Sequence, residues 1–416
     1  MPGLPIVAVT HPLGGIPEEE VKKKAKLAVE EIIDKALKLR QLADAEKKEK
    51  NDSLKVKGTI GDVTLIFYSN GWTDGLPILP PTKEAVQEMF KGTDLLPDHV
   101  LGIMPPKNGK VTVEKIAVNA VMAGCRPTYM PVLIAAVEGL LEKDFDLASI
   151  QTSTGPHSPL LIINGPIRQQ IRVNYASGAL GPGWQANATI GRAIRFILNN
   201  IGGAKIGITN MATLGMAENF TYCLGENEEQ SPWEPFHVEQ GFKKDESTVS
   251  VIGAFSPEHV SDHVGIDPKE ILIVAADVIS KITRFHLLVV GPIIQHDSVL
   301  VLCPEHADSI GKAGWGKKDV QQFLFENSKI PYEKLKNLRR QAEPSQFVGS
   351  SSEGPMVPMF LSRPKIKIIV SGGPGKHSAY INTGHSKRII TKKVIFPSKW
   401  NELLDQYKEV INPSNE

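Results

Sequence analysis

LLIINGPI, residues 160–167, is an unbroken apolar run of strand length closed by Gly165 and Pro166. A run so short, bounded by turn residues, reads as a strand buried on both faces of a sheet. LLVVGPII (287–294) and IKIIVSGGPG (366–375) echo it. Buried strands commonly end in such turns, which is the plain explanation. The sharper one is a repeated strand–Gly-Pro–helix unit whose strand ends converge on one site. Working outward, further strands are expected over 63–68, 248–252, 271–274 and 299–302. Amphipathic helices are expected over 113–123, 129–142, 187–200, 307–313, 320–327 and 399–409. This mixture predicts an α/β protein, with a mixed sheet or sheets and flanking helices.

The chain has 416 residues, enough for two or three domains. IVAVT (6–10) reads as a short strand, and a helix should start at Pro17 and run to about residue 44. The charged run EKKEKND (46–52) reads as a linker. The expected organisation is a β-α appendage over 1–50, a first α/β lobe over 51–245 and a second over 246–416. Net charge is +1, so no whole-chain field draws nucleic acid or an anionic membrane. No apolar run approaches the roughly 18 residues of a membrane span. The three cysteines are odd in number and far apart, which points to a reducing, cytoplasmic setting.

The chemistry concentrates in YCLGENEEQSPWEPFHVEQG, residues 222–241. It carries Cys223, Glu226, Glu228, Glu229, Glu234, Glu239, His237 and Trp233 with no helical or strand period. A solvated acidic loop is the plain reading. The interleaved Tyr222, Leu224, Phe236 and Phe242 argue instead for partial burial. A buried carboxylate must be paired or protonated, and either condition gives acid–base capacity. Glu226, Glu228 and His237 are therefore catalytic candidates, with Asn227 and Trp233 lining the substrate. Cys223 sits among acids that disfavour a thiolate.

Other segments supply candidate neighbours. GWTDGLPILPPT (71–82) is stiffened by glycine and proline and presents Trp72 as a wall and Asp74 as a carboxylate. In AGCRPTYMP (123–131) Cys125 precedes a helix start beside Arg126, which favours a thiolate and makes it the catalytic nucleophile candidate of the three cysteines. A small buried residue in a tight turn is the alternative; Cys303, after the strand VLVL, reads as core. His157, in a Gly-Pro-bounded loop, is a further acid–base candidate. Gly181 and Gly183 lead to a helix with Asn187 as its expected N-cap, a cradle for an anion. The dinucleotide fingerprint there fails for want of a preceding strand. Gly373, Gly375, Lys376 and His377 form a strand-end turn that departs from a nucleotide-binding P-loop but suits an anion and a proton. His259 and His263 are spaced for one helix face, and Cys303 with His306 has Cys-x-x-His spacing without a second pair, so no metal site is named.

DGLPILPPT (74–82), AGCRP (123–127), the GPG…NATIGRA helix, YCLGENEE with SPWEP, and PEHADSIGKAGW (304–315) together resemble a family encoded beside small proteins bearing a Sec/Cys-Gly-Ser-Cys (UGSC) redox motif. The resemblance covers about residues 56–400, and residues 6–33 look like the C-terminal end of that small partner. The chain lacks the UGSC motif itself. The resemblance implies that a thiol or selenol would come from a UGSC-motif partner. The expectation is an oligomeric enzyme subunit acting on a small anionic molecule by thiol-linked redox or bond cleavage, with no cofactor identified. The alternatives are a metal-assisted hydrolase or lyase using His and Glu, and a non-catalytic scaffold for the redox partner.

Overall fold

The computed structural model describes residues 7, 9–10, 12, 16–43, 55–281, 297–331, 334, 349–351, 354–360, 366–384 and 388–408. Two compact units divide the chain, Met1–Thr59 and Ile60–Glu416. In the first, α1 (Glu18–Ala43) follows Pro17, and its first turn carries three glutamates that complement the helix dipole. Of the strand expected over 6–10, Val7, Val9 and Thr10 are described and lie in none.

The second unit opens with α2 (Ile60–Ser69), α3 (Lys83–Met89) and a hairpin of β1 (Val100–Met104) and β2 (Gly109–Thr112). There follow α4 (Val113–Ala123), α5 (Met130–Leu140), α6 (Leu147–Thr152), β3 (Ser158–Asn164), α7 (Ile167–Gln170), α8 (Gln185–Asn200), β4 (Cys223–Gly225) and α9 (Phe236–Glu239). Then come β5 (Thr248–Ser261), α10 (Pro268–Ile279), β6 (Ser298–Leu302), α11 (Pro304–Lys312), α12 (Lys317–Asn327) and a small sheet of β7 (Lys329–Pro331), β8 (Gly349–Ser351) and β9 (Gly354–Pro358). The last elements are β10 (Ile366–Val370), β11 (His377–Thr383), β12 (Ile390–Lys393) and α13 (Trp400–Gln406).

A seven-stranded mixed sheet in the order β10-β6-β11-β5-β3-β4, with β12 on β5, takes strands from both sides of residue 245. β3 runs parallel to β4 and β6 to β10; the pairings of β5 and β11 are antiparallel. The sheet curls until its two edges meet. Asn227 N–H, just past β4, donates to Val370 O of β10 at 2.7 Å, and the Ser371 hydroxyl donates to Gly225 O at 2.9 Å.

Side chains alternate across this curl as strand geometry requires. Leu160, Ile162, Leu224, Ile252, Val299, Val301, Ile369 and Ile381 fill its inside. Leu161, Ile163, Val249 and Val251 face a second core under α4, α5 and α8. Leu300, Leu302, Ile366 and Ile368 face a third under α10, α11 and α12. β3 is thus covered on both faces, as its unbroken apolar run predicts.

Two expected strands are helices: 63–68 lies in α2 and 271–274 in α10. Short apolar runs do not distinguish the two states. The start of α10 is signalled locally, by Asp267 accepting from Lys269 N–H, Pro268 at N1 and Glu270 completing a capping box. The repeat idea survives only in part. β3 passes through Gly165 into α7, but β10 turns back into β11 with no helix between them. The strand expected over 287–290 lies outside the described residues.

Candidate active site at the strand ends

At the carboxyl end of β3 the ladder continues one step beyond β4, with Glu226 N–H donating to Ile163 O. This delivers Glu226 to the interior beside Asn164. Glu226 is 0% exposed. Its Oε2 accepts from Asn164 Nδ2 and, at 2.8 Å, from Phe236 N–H at the start of α9. Asn164 Nδ2 also donates to Glu228 Oε1 at 3.0 Å, which takes the Gly165 N–H at 2.7 Å. Gly165 adopts φ +80°, and a Cβ there would stand 2.2 Å from Glu246 O. The turn that presents its N–H therefore needs glycine.

Arg168, buried in the short helix α7, gathers the charges. Its guanidinium lies 3.1 Å from Glu228 Oε2 and holds Glu229 through both terminal nitrogens at 3.0 and 3.2 Å. The same group donates to Glu226 O, and its plane lies over the Tyr175 ring. Burial raises the Glu229 carboxyl, but the Arg168 bonds outweigh it and hold the group below its usual range. Among the described residues no cation is in contact with the Glu226 carboxylate. Burial pushes it up to about 7, against the field of Lys317 and its two hydrogen bonds.

His237 on α9 is also 0% exposed, with Nδ1 3.8 Å from Glu228 Oε1. Among the described residues neither of its ring nitrogens has a hydrogen-bond partner, and neither do Glu226 Oε1 and Asn164 Oδ1. Buried polar atoms are paired in nearly every native protein. Three such side chains in one cluster leave hydrogen-bonding capacity unused.

A second cluster lies across Ser371, whose N–H donates to Leu302 O while its hydroxyl donates to Gly225 O. Cys303 follows Leu302 at the N-cap of α11 and is 2% exposed. Ser378 Oγ accepts from Cys303 N–H at 3.0 Å and lies 3.5 Å from its sulfur and 2.7 Å from His306 Nδ1. His306 Nε2 lies 3.0 Å from the carbonyl oxygen of Asp262. Burial raises the Cys303 thiol, but the His306 and Ser378 contacts outweigh it and hold it below its ordinary value. His306 moves the opposite way, raised by Cys303 and the Asp262 carbonyl despite burial. Together these place a thiol and an imidazole on one bridging hydroxyl, each shifted toward its charged form. The Cys-x-x-His spacing in PEHADSIGKAGW and its preceding cysteine was the legible signal.

The remaining candidates fall elsewhere. Cys125 donates its thiol to Thr189 O at 3.2 Å, and burial pushes it up to about 12. It is a protonated thiol rather than a nucleophile. Cys223 is buried and raised as well. His157 lies at the opposite end of β3 from Glu226, against Phe255 at 4.3 Å between ring centroids. Trp72 packs edge-on against Phe67 beside the α4–α8 core, while Trp233 packs on the α10–α12 core and donates to Trp315 O. They are not two walls of one pocket. Asp74 is paired with Arg192, and Arg126 donates to Gln185 at the surface.

Asn187 is not the N-cap of α8; Trp184 is. Asn187 accepts from Asn174 N–H and donates to the carbonyls of Asn174, Ala179 and Cys223, tying α8 to β4. The two glycine turns do approach each other, since a Cβ on Gly373 would meet Ser177 and Gly181 N–H donates to Gly178 O. Their anion-binding groups are engaged: Gly375 N–H donates to Glu305 Oε1 and Lys376 to Gly265 O. Asn227 is buried, its N–H closing the sheet on Val370.

His377 meets His259 at 2.7 Å, with His263 against its ring. His259 lies in β5, so its spacing to His263 is not that of one helix face. Among the described residues no group of three or more His, Cys, Asp or Glu side chains is disposed to hold a metal ion, and no helix is long and apolar enough to cross a membrane. Comparison with protein-family models, with curated proteins and with solved structures gives no match.

Proposed function

We propose that this chain is a cytoplasmic small-molecule enzyme that transfers protons through the Glu226–Glu228–His237 cage and uses Cys303 for thiol-linked chemistry. The observation that carries the reading is Glu226. A fully buried carboxyl poised near neutral pH, with one oxygen unpartnered beside an unpartnered histidine, is built for proton transfer. Arg168 and Asn164 position the cage. Ser378 and His306 hold the Cys303 proton. Pro374, three residues after Ser371, is exposed. The reaction class is thiol-linked redox or bond cleavage on a small anionic molecule, with a UGSC-motif protein as the companion supplying a second thiol or selenol.

Thiolate ultraviolet absorbance of the full chain tests the thiol assignment. A thiol is expected to titrate below the ordinary cysteine range. It should persist in a Cys125→Ser, Cys223→Ser double variant, disappear in Cys303→Ser and shift upward in His306→Gln. Absence of any low-range titration, or its loss on replacing Cys125, overturns the assignment.

A further inference from the structure

A pocket of about 640 Å³ opens between α2, the 73–75 turn, α8 and the 206–220 segment. Its volume falls within the range of small-molecule sites. Tyr68, Phe196, Ile206, Leu214, Met216 and Phe220 supply its apolar walls. Its charges do not balance. Asp74 is engaged by Arg192 through two bonds of 2.6 and 2.8 Å and also accepts the Leu76 N–H. Arg195, one turn further along α8, lines the same pocket. Its Nη1 is buried with no hydrogen-bond partner among the described residues, and the nearby Asp74 carboxylate acts on it only through its field while bonding to Arg192. Asp74 thus serves two guanidinium groups, Arg192 outside the lining and Arg195 within it, which leaves a surplus positive charge beside a mostly apolar wall. Burying a cation without a counter-charge is unfavourable, and a bound anion relieves it. Burial also lowers the Arg195 pKa, partly offset by Asp74.

We propose that this pocket binds a small amphipathic monocarboxylate, its carboxylate on Arg195 and its hydrocarbon body against the Phe196, Leu214 and Phe220 walls. A guanidinium fork matches a carboxylate in shape as well as charge. The site is separate from the proton-transfer cage and rests on no part of the proposed chemistry. Asn219, in its lining, donates to His157 O, just before the first residue of β3. The Glu226 cage lies beyond the last residue of that strand, roughly 20 Å away at about 3.3 Å per residue.

Octanoate is the probe and octanamide its neutral control, titrated into the full chain by calorimetry. Octanoate should bind saturably, and octanamide roughly ten- to a hundredfold more weakly, as expected for loss of a charged hydrogen-bonded pair. Arg195→Met should remove that preference. Leu214 is 94% exposed at the rim, so Leu214→Trp provides a fluorescence reporter in a chain that keeps Arg195. Its emission should change with octanoate at the calorimetric concentration. Equal binding of octanoate and octanamide, unchanged binding in Arg195→Met, or a silent Trp reporter overturns the proposal.

Discussion

Glu226 holds its proton up to about pH 7 because burial costs its charged form more than two hydrogen bonds and a distant lysine return. The consequence for stability has a definite sign. In the unfolded chain the carboxyl ionises near 4.5, in the folded protein near 7. Between those values the folded state holds the extra proton, so stability is full below about 4.5 and declines as pH rises through 7. The loss is about 3 kcal/mol across that window at roughly 1.4 kcal/mol per unit. Glu226→Gln should lack this decline, and its advantage over the wild type should grow from acidic to neutral pH in denaturant titrations. A parallel pH dependence in both proteins would mean Glu226 is ionised when folded. At this scale the sequence was informative about the cage and misleading about the thiol. Acids interleaved with aromatics in 222–241 mark burial. A cysteine before a helix start has its thiol lowered when neighbouring groups outweigh its burial; imidazole and hydroxyl groups from α11 and β11 do so at Cys303, and nothing does at Cys125.

Among the elements, the long amphipathic helices and the buried strands were legible because their periods are set locally. α4 has the bounds its pattern predicts, and β3, β6 and β10 lie where the apolar runs fall. α2 and α10 were misread as strands because four to six apolar residues satisfy either geometry; in α10 the Asp267–Glu270 capping box decides for the helix. β4, β11 and β12 carry little signal of their own and are held by partners distant in sequence. α8 owes its seating to Asn187, whose four bonds to Asn174, Ala179 and Cys223 no helix pattern reveals. Asn187→Leu fills similar space and strands those backbone groups. It should destabilise the protein by about 3 kcal/mol or more, given about 1–3 kcal/mol for each buried group left unpaired. Equilibrium unfolding measures this, and a change under 1 kcal/mol would show that the α8–β4 junction does not depend on Asn187.

For the whole molecule, closure of the sheet is what makes a site. Residues 225, 302 and 371 are hydrogen-bonded through one serine, although they come from three remote segments. Long-range pairing of this kind leaves no period in the sequence, so the bridging of Gly225 and Leu302 by Ser371 could not be read from it. Trp72 and Trp233 pack on different cores, and His157 lies at the far end of β3 from the cage that holds His237. The central claim is that the Glu226 cage moves protons on a small molecule. The most direct test incubates the full chain with a small-molecule extract in deuterated water, a dithiol standing in for the partner's thiol, and follows every compound by mass spectrometry. At least one small acid should be consumed or gain deuterium with the wild type and with Cys125→Ser, and the rate should fall about a hundredfold or more in Glu226→Gln, the scale of a lost acid–base group. If no compound changes with the protein present, or if Glu226→Gln works as fast as the wild type, the account is wrong.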